Sequence, residues 1–400
     1  MRVDEPGSEY RDLLLNKIVP FWKEFGLDLE FGGLRSCMKE DGTRVSDDKY
    51  IWSQARWVWV CSAMFNRIEA RPEFLLWAKS GVDFLMEHGR DTEGRWIYRT
   101  DRKGTAIEGA ISIYSDCFAV YAFSEYFRAT QDAAVLQVAI DTFWQILVRV
   151  EAEDFQETAP YPLPHGLRNH GVPMMLTEVA NELAQTTGDS SIESIADLYS
   201  SRIMDRFVQP DNLILEFLDR RYRPVPAPDG TFIMPGHAIE CMWFVMHLAA
   251  RRQEKKTIAR AAQVLKKHLE VGWDPEFGGL FLGLDIHSKS PLLPNSEAKI
   301  WWPHTEALYA IRLASVLTGE KWCQGWYERI HAWSFSHFPL PSGEWCQRLD
   351  RTGQAIETLI ALPVKDPFHL PRAAILMTQL EGAGVRPCFF TAGDIALGAS

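Results

Sequence analysis

Two histidines and a small set of charged partners stand where chemistry is expected. In "FIMPGHAIECMWF" (232–244), His237 follows Pro235-Gly236 directly, and Glu240 comes three residues later at the head of an apolar run. One reading is a helix whose first turn happens to be polar. The other is a general base at the mouth of a pocket, because the positive end of a helix dipole favours neutral imidazole. Three further stretches have the same character. "DDKYIWSQARWVW" (47–59) sets Trp52 and Arg56 four apart, on one helical face. An arginine in so apolar a helix reads either as a surface or ion-paired group, or as a pocket cation for sugar oxygens or an oxyanion. "AKIWWPHTEAL" (298–308) puts Trp302 and Glu306 on one face, with Pro303 suited to a first helical turn. "KDPFHLPRAA" (365–374) carries His369 and Arg372 on either side of Pro371.

These groups need elements that bring them together. Segments such as "EFLLWAKSGVDFLMEHG" and "LQVAIDTFWQILVRV" repeat apolar residues at helical spacing, and Gly188 and Gly319 mark helix ends. Between helices lie glycine-containing stretches that read as small β-hairpins, at 30–42, 92–104, 276–288 and 342–353, with a weaker fifth at 212–224. Taking Trp52, Tyr114, Met175, His237, Trp302 and His369 as the openings of six helices gives steps of 62, 61, 62, 65 and 67 residues. A period near 60 accommodates one helical hairpin and its connection. Six such units predict an all-α (α/α)6 barrel, an inner and an outer ring of six helices with short β-hairpins in the loops. The whole of 1–400 is expected to form one domain. The six openings would then converge at one end of the barrel.

Composition narrows the partners. The chain has 400 residues, 46% hydrophobic, and a net charge of -11 without a basic block, which argues against nucleic acid and anionic membranes. Fifteen tryptophans suit either a large aromatic core or a carbohydrate site. Seven cysteines without a C-x-x-C pair read as reduced thiols. No apolar h-region opens the chain and no stretch reads as a membrane span, so the expected location is cytoplasmic. There is no H-E-x-x-H and no two histidines four apart, so no metal site is expected; P-loop and G-x-S-x-G patterns are also missing. His165 and His170, in "PLPHGLRNHG", read as loop or structural residues.

Several motifs in order, "DDKYIWSQAR", "GVPMMLTEVA", "PGHAIECMWF", "GWDPEFGGLF", "AKIWWPHTEAL", "GEW" and "FHLPR", closely resemble the N-acylglucosamine 2-epimerase family over almost the full length. The resemblance implies the (α/α)6 barrel and an isomerase that interconverts N-acetylglucosamine and N-acetylmannosamine. A proton would leave C2 of the ring-opened sugar on one face and return on the other. It makes His237 and His369 the catalytic pair, Arg56 a sugar-binding arginine, and Glu240 and Glu306 pocket glutamates. Trp302, Tyr114 and Arg372 join them as binding residues. It implies no required cofactor, ATP as a non-consumed activator of some members, a small sugar as the partner, and a homodimer as the expected assembly. The disaccharide 2-epimerase branch carries an extra histidine where this chain has Met174 and Met175, which points to the N-acyl-sugar branch, although methionines there also suit plain core packing. The competing readings are an aldose–ketose isomerase or 2-epimerase on mannose or a similar sugar, a glycoside hydrolase using Glu240 and Glu306, and a non-catalytic binding protein.

Overall fold

The computed structural model describes residues 8–156, 159–160, 163–287, 295–357 and 363–382. Among them are twelve helical runs. They are α1 (8–26), α2 (Ile51–Arg67), α3 (Pro72–His88), α4 (Ile113–Thr130), α5 (Ala133–Glu151), α6 (Gly171–Thr187), α7 (Ser190–Arg202), α8 (Pro235–Arg251), α9 (Lys255–Gly272), α10 (Trp301–Thr318), α11 (Trp322–His337) and α12 (His369–Gly382). The even-numbered helices pack side by side as α2, α4, α6, α8, α10 and α12, and α12 returns to α2, closing an inner ring. The odd-numbered helices pack outside it. This is the expected (α/α)6 barrel. All six openings chosen from the sequence fall in the first turn or two of an inner helix.

Inner and outer helices differ in burial as their places demand. In α8 every residue from Ala238 to Ala249 is buried. In α9 only a stripe is, including Ile258, Ala261, Leu265 and Leu269 at helical spacing. Gly188 and Gly319 take left-handed φ values of 71° and 69° just past α6 and α10, where a side chain would be strained. Six of the fifteen tryptophans, Trp22, Trp57, Trp59, Trp96, Trp243 and Trp345, are fully buried in the core. The six cysteines within the described residues are buried.

One sequence expectation is corrected in α5. Its 19 residues are long and apolar enough, by length and composition, to cross a membrane. In the barrel it is an outer helix whose Val135, Ala139, Phe143, Ile146 and Val150 are buried against the inner ring.

The connections carry the short antiparallel turns expected from the sequence, closed by single bridges such as Arg90 with Trp96, Trp273 with Leu280 and Leu349 with Ala355. They also carry a second, longer-range pairing that the sequence did not show. The strand leading into an inner helix pairs with a strand from the connection beyond the next outer helix. Thus β1 (Lys49–Tyr50) pairs with β2 (Arg99–Thr100), β4 (Leu167–Asn169) with β5 (Phe217–Asp219), β6 (Phe232–Ile233) with β7 (Leu284–Asp285), and β8 (Lys299–Ile300) with β9 (Arg348–Leu349). Of the strand pairs, β2 with β3 (Ala106–Glu108) is local. Within the loops, aspartate closes the tight turns of the short hairpins: Asp350 accepts from the amides of Thr352 at 2.8 Å and Gln354 at 3.0 Å, and Asp101 does the same for Lys103 and Thr105. The stretch 276–288 runs one residue beyond the described positions.

Two of these connections carry the same buried clamp. Lys49 and Lys299, each two residues ahead of an inner helix start, are wholly buried against Asp28 (3.1 Å) and Asp274 (3.0 Å). Arg102 and Arg351 close on the same carboxylates. Each lysine thus ties its helix start to the connection before it, which fixes where Trp52 and Trp302 emerge.

Candidate active site

At the end of the barrel where the inner helices begin, a cavity of about 350 Å³ opens, within the range of small-molecule sites. Its wall includes Trp52, Arg56, Tyr114, His237, Glu240, Trp302 and His369, so residues from five inner helices meet there.

His237 sits in the first turn of α8. The turn can press on α10 because residue 236 is glycine: a Cβ there would lie 2.6 Å from the Trp302 ring. The imidazole Nδ1 is 3.2 Å from both oxygens of Glu216. Glu216 is itself fixed by its backbone, whose N–H donates to Phe232 O at 3.1 Å and whose carbonyl accepts from His170 N at 2.9 Å. Burial pulls the His237 pKa down, but the Glu216 carboxylate, by charge and hydrogen bond, and Glu240 behind it raise it above the ordinary histidine value. The helix dipole, which favours neutral imidazole, is thus opposed by a carboxylate that sequence reading left out.

His369 opens α12. Asp366 caps that helix, with Oδ2 accepting from the amides of Phe368 (3.2 Å) and His369 (2.8 Å), while its Oδ1 takes Arg56 Nη1 at 2.7 Å. Burial opposes ionisation of Asp366, and the Arg56 charge prevails, holding its pKa below the usual range. Arg56 lies over the faces of Phe118 (4.2 Å) and Trp52 (4.9 Å), and its Nη2 is 3.5 Å from His369 Nε2. His369 Nδ1 meets Glu306 Oε1 at 2.8 Å. With Nδ1–H donating to the carboxylate, Nε2 keeps its lone pair on the side facing Arg56 and the cavity.

Beneath these groups, Arg372 Nη2 donates to Glu240 Oε1 and to Glu306 Oε1, the latter at 2.8 Å, and Trp243 Nε1 donates to Glu306 Oε2 at 2.8 Å. Burial works against a charged Glu306, but Arg372 and His369 hold its pKa down at about 2. Glu306 and Arg372 therefore lie below the cavity wall, where they hold His369 and Glu240 by hydrogen bonds. Glu240, Glu306 and His369 also offer three atoms within 4.8 Å of one another, a spacing that suits a metal ion. The Arg372 guanidinium, bonded to both glutamates and 3.4 Å from His369 Nδ1, supplies the positive charge at that point.

Trp302 lies beside both histidines, its ring centroid 5.4 Å from that of His237 and 5.6 Å from that of His369. Tyr114 lies across the cavity, its hydroxyl 3.4 Å from Asn169 Nδ2. Met174 and Met175 line the wall, so they border the cavity as well as the core. His170 is fully buried against Phe207, and burial, with His237 nearby, keeps it neutral. Two functional groups escaped sequence reading. Asp366 carried a legible signal, an aspartate three residues ahead of a helix start. Glu216 had a fainter one, a lone carboxylate between Leu215 and Phe217.

A family model described as N-acylglucosamine 2-epimerase (GlcNAc 2-epimerase) matches residues 32–373. The N-acylglucosamine 2-epimerase of Bos taurus is 30% identical over 92% of this chain and 89% of its own length. A mannose-6-phosphate isomerase of Rhizobium meliloti is 25% identical over 80% of this chain and 82% of its own. Among solved structures, a sugar epimerase from a ruminal bacterium superposes with a TM-score of 0.82 at 20% identity, covering 93% of this chain and 98% of that one, a likeness of fold.

Proposed function

Because the chain belongs to the N-acylglucosamine 2-epimerase family, we propose that it inverts C2 of an uncharged N-acyl hexosamine, interconverting N-acetylglucosamine and N-acetylmannosamine. It is a carbohydrate epimerase, an isomerase acting on a sugar. The observation that carries the finer reading is the pair of imidazoles that line one cavity beside Trp302, each anchored through Nδ1 to its own carboxylate. Both rings are thereby left with Nε2 for the cavity.

In this reading the open-chain sugar lies between the two rings. His369 Nε2 removes the C2 proton, which the neighbouring aldehyde makes acidic. The Arg56 guanidinium, beside His369, steadies the negative charge that develops on the carbonyl oxygen. His237 returns a proton to the opposite face, and the configuration at C2 is inverted. The other epimer uses the same groups in the reverse order. Glu240, at the cavity wall, is placed to assist opening and closing of the ring. Phe118, Met174, Met175 and Met234 give an apolar flank that suits an acyl methyl group.

The charge of the wall favours an uncharged sugar. Glu216, Glu240, Asp229 and Asp366 face the cavity against Arg56 and Arg348, and Arg56 is already engaged by Asp366. A phosphorylated sugar would meet this surplus of carboxylates as repulsion. The hydrolase reading loses support because Glu240 and Glu306 both accept from one nitrogen of Arg372, and Glu306 does not reach the cavity.

Proton NMR in deuterated water with N-acetylmannosamine, with and without ATP and with mannose alongside, tests the proposal. The expected result is deuterium at C2 together with N-acetylglucosamine. Acceleration by ATP without its consumption belongs to the same proposal and is read from the paired samples. A ketose formed from mannose, with the N-acetyl sugar untouched, would move the protein to the aldose–ketose isomerase reading. No exchange with either sugar would overturn both.

A further inference from the structure

The two histidine stations differ in the charge behind them. Behind His369, the Glu306 carboxylate also binds Arg372 and the Trp243 indole, and a second cation, Arg56, lies 3.5 Å from Nε2. The carboxylate at that station is therefore already matched by cations. Behind His237, Glu216 is 4% exposed and, among the described residues, has no ion pair other than His237. A buried carboxylate without a cation is costly unless its neighbour supplies the charge.

We propose that Glu216 is a positioning residue that keeps His237 protonated at rest, so that His237 enters turnover as the acid while His369 enters as the base. This rests on the two-histidine reading above. It adds a member to the catalytic apparatus and assigns a resting state to each ring. The groups around His237 are consistent with it from every side. Glu216 approaches from the segment ahead of β5, Glu240 lies one turn along α8, neutral His170 comes from the loop before α6, and His369 also lies beside Trp302. Arg372, the cation nearest to Glu240, is already shared between Glu240 and Glu306. Both oxygens of Glu216 sit at 3.2 Å from Nδ1, so a small rocking of the carboxylate does not break the contact.

The proton count follows. In one turnover His369 gains the C2 proton and His237 gives one up, leaving His369 charged and His237 bare. A second turnover in the same direction needs one proton to move back, from His369 to solvent and from solvent to His237. The pull of Glu216 on Nδ1 drives that reset toward a charged His237.

The test is titration of both histidines by 15N NMR in the wild type, in E216Q and in E216D, alongside the pH profile of kcat. Glutamine retains a hydrogen-bond acceptor for Nδ1–H and removes only the charge. In the wild type His237 should titrate above an ordinary histidine. In E216Q the His237 midpoint should fall by about one unit or more, with His369 unmoved. The E216Q kcat at neutral pH should drop by on the order of 10²-fold with KM within about twofold. E216D should recover part of the His237 shift. A wild-type His237 that titrates at or below an ordinary histidine, or an E216Q midpoint equal to the wild type, overturns the proposal, as does an E216Q that moves both histidines alike. These titrations need no turnover, so they read Glu216 even if the substrate assignment fails, and the deuterium experiment reads the substrate even if Glu216 does nothing.

Discussion

Arg372 joins two carboxylates through one nitrogen, with 2% of its side chain exposed and Glu306 equally buried. Replacing it by methionine of similar length leaves two glutamates buried without a counter-charge. R372M should therefore lose about 3–5 kcal/mol of stability, read by urea denaturation at neutral pH. A loss below about 1 kcal/mol would mean that the carboxylates find other partners or water. Asp366 supports a more selective prediction, because its two oxygens do different jobs. Asparagine still accepts the amide hydrogen bonds that start α12, so D366N should melt within a few degrees of the wild type. Arg56 loses the charge that holds it beside His369, so kcat/KM should fall by about tenfold or more. A D366N enzyme with full activity would show that Arg56 is held by the Phe118 and Trp52 faces alone. Sequence reading found Arg372 but not its burial beneath the cavity, which has no signature in residue type.

Helix starts were the most legible elements, for a physical reason. An inner helix must be apolar along its body, so its polar and aromatic residues collect at the end that meets the cavity, and the markers stand out against their surroundings. The strand pairings were hidden. β6 meets β7 across α8 and α9, and β8 meets β9 across α10 and α11, so their partners are set by closure of the ring and by no local turn. Glu216 belongs to the same hidden class: its carboxylate reaches His237 only because its backbone is pinned to Phe232 and His170. The junction of α8 with α10 gives this scale its prediction. Gly236 has an ordinary φ, so alanine is tolerated by the backbone, but its Cβ would lie 2.6 Å from the Trp302 ring and 2.9 Å from Pro303. G236A should push Trp302 from its place beside the histidines while leaving the helix intact. We expect kcat to fall by about 10–100-fold with a loss of stability of only about 1–3 kcal/mol. An unaltered kcat would mean that the position of Trp302 beside the rings does not govern the reaction.

Across the whole barrel, buried carboxylates fall into two sets with opposite responses to pH. Asp28, Glu125 and Glu306 are held down at about 2; burial resists this, and arginine or lysine partners prevail in each case. Their folded pKa lies below the unfolded value, so the stability they supply is present above about pH 4–5 and is lost as pH falls toward 2. Asp116 and Glu344 go the other way, burial raising them to about 6 and about 7 against the opposing charges of Arg149 and Lys365. Their folded pKa lies above the unfolded value, so their contribution is complete below about pH 4 and is lost as pH rises through 6 and 7. The two trends cross, and the melting temperature should peak at about pH 5. It should drop steeply on the acid side, where several pairs fail together, and gently between pH 5 and 8. Glu344 isolates the gentle side. It is 2% exposed and lies 3.7 Å from Lys365, whose other partners are Glu40 and the Trp345 carbonyl, so its charge is not needed to hold that lysine. E344Q should match the wild type at pH 5 and exceed it at pH 8, by on the order of 1–3 kcal/mol. Thermal melts of the two proteins from pH 3 to 9 decide it. Parallel curves over the whole range would mean that Glu344 ionises in the folded barrel as freely as in the unfolded chain, and that the Lys365 charge offsets its burial in full.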